Sequence, residues 1–114
     1  MNLLDLEPKY ADYQIRMRRL FHTCPEASTK EFETAKLIRA ELDKMGISWR
    51  ECGMPTGTLA TIKGARPGRT ILLRGDIDGL EVTEKTGLEY ASKNEGFMHA
   101  CGHDCHISML LTAG

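Results

Sequence analysis

Thr70-Ile71-Leu72-Leu73-Arg74-Gly75-Asp76-Ile77-Asp78-Gly79 joins an apolar run to a pair of aspartates. Residues 70–74 are apolar on both faces, which predicts a central strand covered on both sides. Asp76 and Asp78 follow at once, two apart, just past the strand's C-terminal end, where open α/β sheets place their sites. Carboxylates there bind a metal directly or orient a ligating imidazole. From this segment alone a plain acidic turn accounts for the pair equally well.

Upstream, the pattern is helical. Tyr10, Tyr13, Met17, Leu20 and Phe21 recur at three- and four-residue steps, which predicts an amphipathic helix with Pro8 in its first turn and an end before Pro25. Arg16, Arg18 and Arg19 read as its solvated basic face. A second helix is predicted over 28–45, started by the capping-box pattern Ser28-Thr29-Lys30-Glu31. Phe32, Ala35, Ile38, Leu42 and Met45 form its buried stripe, and Gly46 closes it. The period then changes. Residues 47–52 and 58–63 read as strands, and the Gly- and Pro-rich segment 64–69 as a turn. That turn lacks the pattern of a phosphate-binding loop. Two helices, three strands and a final helix predict an α/β domain with helices packed on a mixed sheet.

Downstream, residues 80–93 show little regular pattern, and a connection that long is uncommon in a compact domain unless it serves a site. It leads to Met98-His99-Ala100-Cys101-Gly102-His103-Asp104-Cys105-His106, a concentration of imidazole, thiolate and carboxylate, the side chains that bind transition metals. Cys101 and His103 are two apart, a spacing that turns both to one side of an extended backbone. A closed structural zinc site from Cys101, His103, Cys105 and His106 would crowd four ligands into six residues, so the cluster reads as half of a site. The long connection joins it to the Asp76–Asp78 pair, and both are expected to line one pocket. Ile107 to Leu111 reads as the first turns of a buried helix, placing the cluster where a loop enters a helix.

The 114 residues suffice for one small domain. A 41% apolar and 27% charged composition is that of an ordinary soluble protein. The net charge of −1 recommends neither a nucleic-acid nor an anionic-membrane partner. No stretch is long and apolar enough to span a bilayer, and the N-terminus lacks a signal-peptide pattern. Four irregularly spaced cysteines then read as reduced thiols in a cytoplasmic protein, against a Cys101–Cys105 disulfide.

Taken in order, these marks resemble the N-terminal part of the metal-dependent amidohydrolases related to aminoacylase, hippurate hydrolase and the indoleacetyl-amino-acid hydrolases. The resemblance is carried by Arg18-Arg19-Leu20-Phe21-His22-Thr23-Cys24-Pro25-Glu26, Glu33-Thr34-Ala35, Leu42 with Gly46, Thr56-Gly57, Pro67-Gly68, Arg74 to Leu80, and Gly96 to Asp104. It implies a zinc-exopeptidase-like catalytic domain and hydrolysis of N-acyl amino acids or similar amides by activated water at two divalent metal ions, zinc or manganese. It implies Cys101 and His103 as metal ligands, Asp78 as the catalytic carboxylate beside them, and Asp76 and His106 as supporting residues. Two departures stand out. Gly79 and Glu81 replace the alanine and proline that follow the second aspartate in the family, which is expected to loosen that loop. Cys105 replaces a glycine.

The family's general-base glutamates, later histidine ligands and lid domain used in dimerisation have no counterpart here. The chain therefore reads as an N-terminal portion, inactive by itself, of a protein that forms a homodimer when complete. Two other classes fit the residues: a non-catalytic metal-binding or interaction module that keeps half a site, and a redox protein using Cys101 and Cys105. Further glutamates and histidines in the coding sequence would separate the first from an enzyme. The second requires an exposed thiol pair of low pKa.

Overall fold

A computed structural model describes residues 2–114. The fold is mixed α/β, with three α-helices and a two-stranded sheet among the described residues. A short 3-10 turn over Leu3–Asp5 leads into α1, Glu7–His22. Proline stands at its start, as the missing N–H there costs nothing. Of its expected apolar stripe, Met17 and Phe21 are buried, whereas Tyr10 and Leu20 are each 38% exposed and flank the contact.

The second helix, α2, spans Phe32–Met45 and not 28–45. The capping box does not form. Thr29 takes a left-handed φ of 70°, and Glu31 accepts from the Thr29 N–H rather than reaching back from inside a helix. Glu26 takes over the capping from outside. Its carboxylate accepts the N–H groups of Glu33 and Thr34 at 3.2 and 2.6 Å and the Thr34 hydroxyl at 2.7 Å, which satisfies free first-turn donors and sets negative charge at the positive end of the helix. With the helix starting later, Phe32 falls outside the core and is 54% exposed. Ala35 and Leu42 are buried as expected, with Ile38 and Met45 packed beside them. Gly46 closes α2 at φ 72°, a left-handed cap that glycine adopts without a Cβ penalty.

An antiparallel hairpin follows, β1 over Ser48–Cys52 and β2 over Met54–Thr61, with a register shift between Glu51 and Cys52. Arg39 of α2 ties itself to the hairpin. Its guanidinium donates to the Thr58 hydroxyl and to the carbonyls of Pro55 and Gly57, and it stacks over Trp49 at 4.8 Å.

Residues 70–74 form no strand, which corrects the expected central strand and with it the mixed sheet. Ile71, Leu72 and Leu73 are 88%, 77% and 65% exposed. Strand propensity registers only when a neighbouring strand supplies the ladder, and among the described residues the hairpin pairs with itself alone. The core lies instead among the helices, where Met17 and Phe21 of α1 and Leu42 of α2 meet Ile107 and Leu111 of α3, His103–Ala113. The long connection before α3 is irregular, as expected. A single antiparallel bridge between Leu80 and Met98 pins its two ends together.

Candidate metal centre

The helix α3 begins at His103, four residues before the expected apolar start, so His103, Asp104 and His106 occupy its first turn. The Asp76–Asp78 segment lies alongside. Gly75 allows this close approach, because a Cβ there would stand 2.7 Å from Leu110 Cδ1 and 3.4 Å from His106 Cβ. Gly79 does the same on the other side, where a Cβ would lie 2.6 Å from that of Pro25. Its N–H donates to the Glu26 carbonyl at 2.7 Å. The segment expected to loosen without its proline is thus held by Gly79 and by the Leu80–Met98 bridge.

His103 is fixed by Asp78. Its Nδ1 lies 2.9 Å from Asp78 Oδ1 and 3.0 Å from the Asp78 carbonyl. Two acceptors at Nδ1 place the proton there and leave the Nε2 lone pair free. Nε2 lies 3.6 Å from Asp76 Oδ2, beyond hydrogen-bonding distance. Two donors bound tetrahedrally to one zinc at about 2.0–2.1 Å stand roughly 3.4 Å apart, so the gap fits a shared ion better than a direct bond. His106 completes the group, its ring 5.3 Å from that of His103. One donor atom from each of Asp76, His103 and His106 falls within 4.8 Å of the others. Arg74 pairs with Asp76 at 2.5 Å. The structure thus brings Asp76, Asp78, His103 and His106 of the two expected segments together. Cys101 is exposed and stands outside the three-residue group.

Behind this group lies a buried charged cluster that the sequence reading missed. His22, 2% exposed at its side chain, presents Nδ1 to Asp104 Oδ2 at 2.8 Å. Its Nε2 faces Glu84 Oε1 at 3.0 Å, off the line of the N–H. Arg18 Nε stands in the same relation to Asp104 Oδ2, at 2.9 Å. Arg18, expected on a solvated face, instead spans from α1 to α3 and donates to the Tyr90 hydroxyl at 3.4 Å. Burial works to raise the Glu84 carboxyl, but hydrogen bonds from Thr86 and the Ser92 N–H, with the adjacent His22, outweigh it and hold its pKa below the usual carboxylate value. The available signal was His22 on the apolar side of α1, one residue beyond Phe21. Nothing in its spacing named Glu84 as a partner.

His99 is a further buried imidazole, 4% exposed, with both ring nitrogens unpartnered. Burial lowers its pKa, and the neighbouring His22 and His103 add to the effect against the opposing pull of Asp104 and Asp78.

Residues 72–114 match the sequence profile of peptidase family M20/M25/M40. The chain is 48% identical over 101 residues to thermostable carboxypeptidase 1 of Saccharolobus solfataricus, an alignment covering 88% of this chain and 26% of that protein. It is 48% identical over 113 residues to the N-acetyl-L-cysteine deacetylase of Bacillus subtilis, covering 99% of this chain and 26% of that protein. The crystal structure of a dinuclear-metal-binding M20-family peptidase from Bacillus subtilis superposes with a TM-score of 0.86 at 42% identity, covering 91% of this chain and 30% of that one. The chain spans about a quarter of the length of the curated relatives it matches. These relatives are hydrolases by name.

Proposed function

We propose, from the match of residues 72–114 to peptidase family M20/M25/M40 and the likeness to its named relatives, that the chain supplies part of the metal site of an amidohydrolase acting on N-acyl amino acids or similar amides. The observation that carries this is the His103 imidazole, held at Nδ1 by Asp78 with Nε2 turned free beside Asp76. A carboxylate behind an imidazole is the arrangement that fixes a metal-ligating histidine's tautomer and raises its basicity.

In this reading Cys101 and His103 are ligands, Asp78 is the carboxylate that holds His103, and Asp76 and His106 support the site. The set would hold two divalent ions, zinc or manganese. A thiolate beside imidazole favours zinc, and completion by carboxylates admits manganese. Bound metal supplies a Lewis acid that polarises an amide carbonyl and makes water a stronger acid. The chain's own contribution is to keep the Nδ1 proton on His103 and to present Asp76 and His106 beside it. A base at the site is the missing part. Glu81 and Glu89 are exposed in the loop, and Glu84 is committed to His22. The 114 residues form the N-terminal portion of a catalytic domain that draws its base, remaining ligands and lid from further residues, works as a cytoplasmic homodimer, and by itself hydrolyses nothing. Among the described residues the four cysteines are free, and no helix is long and apolar enough to cross a membrane.

The test is metal-dependent release of amino acid from a panel of N-acyl amino acids, comparing the full product of the gene with the 114-residue chain. Turnover by the former, abolished by Cys101→Ala and by His103→Ala, supports the reading. Turnover that survives both substitutions or removal of metal overturns it.

A further inference from the structure

We propose that His22 is a positioning residue for the metal centre: it clamps Asp104 and so sets the orientation of the first turn of α3, which carries His103 and His106. The inference rests on the metal-site reading above and extends the site to a residue of α1.

The geometry is specific. Asp104 is fully buried, and its two oxygens serve different elements. Oδ2 receives His22 Nδ1 at 2.8 Å and Arg18 Nε at 2.9 Å, both from α1. Oδ1 accepts the Cys105 N–H at 2.9 Å, within α3 itself. The carboxylate therefore fastens α3 to α1 at the residue next to His103. On its far side His22 meets Glu84 of the long connection, whose Oε1 also accepts the Ser92 N–H at 2.9 Å. One imidazole thus joins the three segments that converge on the site. A buried ion pair is weak evidence of stability, since an apolar replacement is often as stable; its best-attested use is to specify one arrangement over others. A metal site needs that specification, because ligands must be held within a fraction of an ångström.

The two ring nitrogens can be tested apart. An asparagine side-chain nitrogen stands near the place of Nδ1 and a glutamine nitrogen near the place of Nε2. His22→Asn therefore keeps the bond to Asp104, and His22→Gln keeps only a nitrogen facing Glu84. Zinc titration of the 114-residue chain should show affinity close to the parent's in His22→Asn and about 10–100-fold weaker in His22→Gln, the usual cost of disturbing a group behind a metal ligand. Simple space filling predicts the reverse, because glutamine is the closer match in size. Ring 1H–15N spectra of the metal-free chain give an independent readout. His103 should keep its single Nδ1–H form in His22→Asn and lose it in His22→Gln. If His22→Gln does not fold, Asp104→Asn takes its place, with the same expected loss.

A parent chain that binds no zinc contradicts the metal reading, and the His103 spectrum then still decides the positioning claim. Unchanged zinc affinity together with an unchanged His103 spectrum in His22→Gln or Asp104→Asn overturns the proposal and leaves the metal reading standing.

Discussion

His103 Nδ1 is shared between the side chain and the main chain of one residue, Asp78, at 2.9 and 3.0 Å. The carbonyl fixes the ring plane and the carboxylate supplies charge, so one residue sets both the tautomer and the direction of Nε2. In Asp78→Asn the carbonyl remains, but the charge is lost and the amide can turn its N–H toward the ring. Zinc affinity should fall about 10–100-fold with the fold retained. Equal affinity in calorimetric titration of the two proteins would remove Asp78 from the site.

The core prediction concerns Leu42, which is 6% exposed among Met17, Phe21, Ile107 and Leu111. Leu42→Ala removes atoms from a packed site and should cost about 2–5 kcal/mol in denaturant unfolding. Phe32→Ala, at an exposed position, should cost far less. Similar losses at the two positions would restore the helical register expected from the sequence.

Glu26 is expected to matter more than its loop position suggests. Its carboxylate accepts three donors from the first turn of α2. Glu26→Ala should destabilise the chain by about 0.5–2 kcal/mol, the range for loss of a helix cap. Substituting Ser28, the residue that the sequence pattern named as cap, should leave the unfolding midpoint nearly unchanged.

Acid should act through His99. Its folded pKa lies below the unfolded value of about 6.5, so the unfolded chain takes up the proton first. The resulting stability is present above about pH 6.5 and is lost as pH falls below that value. Unfolding midpoints measured on either side of it should drop toward acid in the parent chain and drop less in His99→Gln. Identical pH slopes in the two would show that His99 does not carry the effect.

The helices were legible because burial of a stripe leaves a period in the sequence, and Met17, Phe21, Ala35 and Leu42 are buried as that period required. The cap of α2 was not. Glu26 reaches in from beyond the local window, while Ser28 and Glu31 fit the motif but not the backbone turn at Thr29. Residues 70–74 have the composition of a buried strand, yet composition carries no information on whether a neighbour is present to pair with. At the site, Asp78 with His103 was readable from residue type and motif. The contact between His22 and Asp104 joins positions 82 residues apart, and only the packing of α1 on α3 brings them together.

Whether Cys101 and His103 bind metal can be read from zinc-edge X-ray absorption of the zinc-loaded chain. One sulfur neighbour at about 2.3 Å is expected together with nitrogen and oxygen neighbours at about 2.0–2.2 Å. Cys101→Ala should remove the sulfur shell, and His103→Ala should weaken binding and reduce the imidazole signal. A zinc environment of light atoms alone, or one that both substitutions leave unchanged, would contradict it.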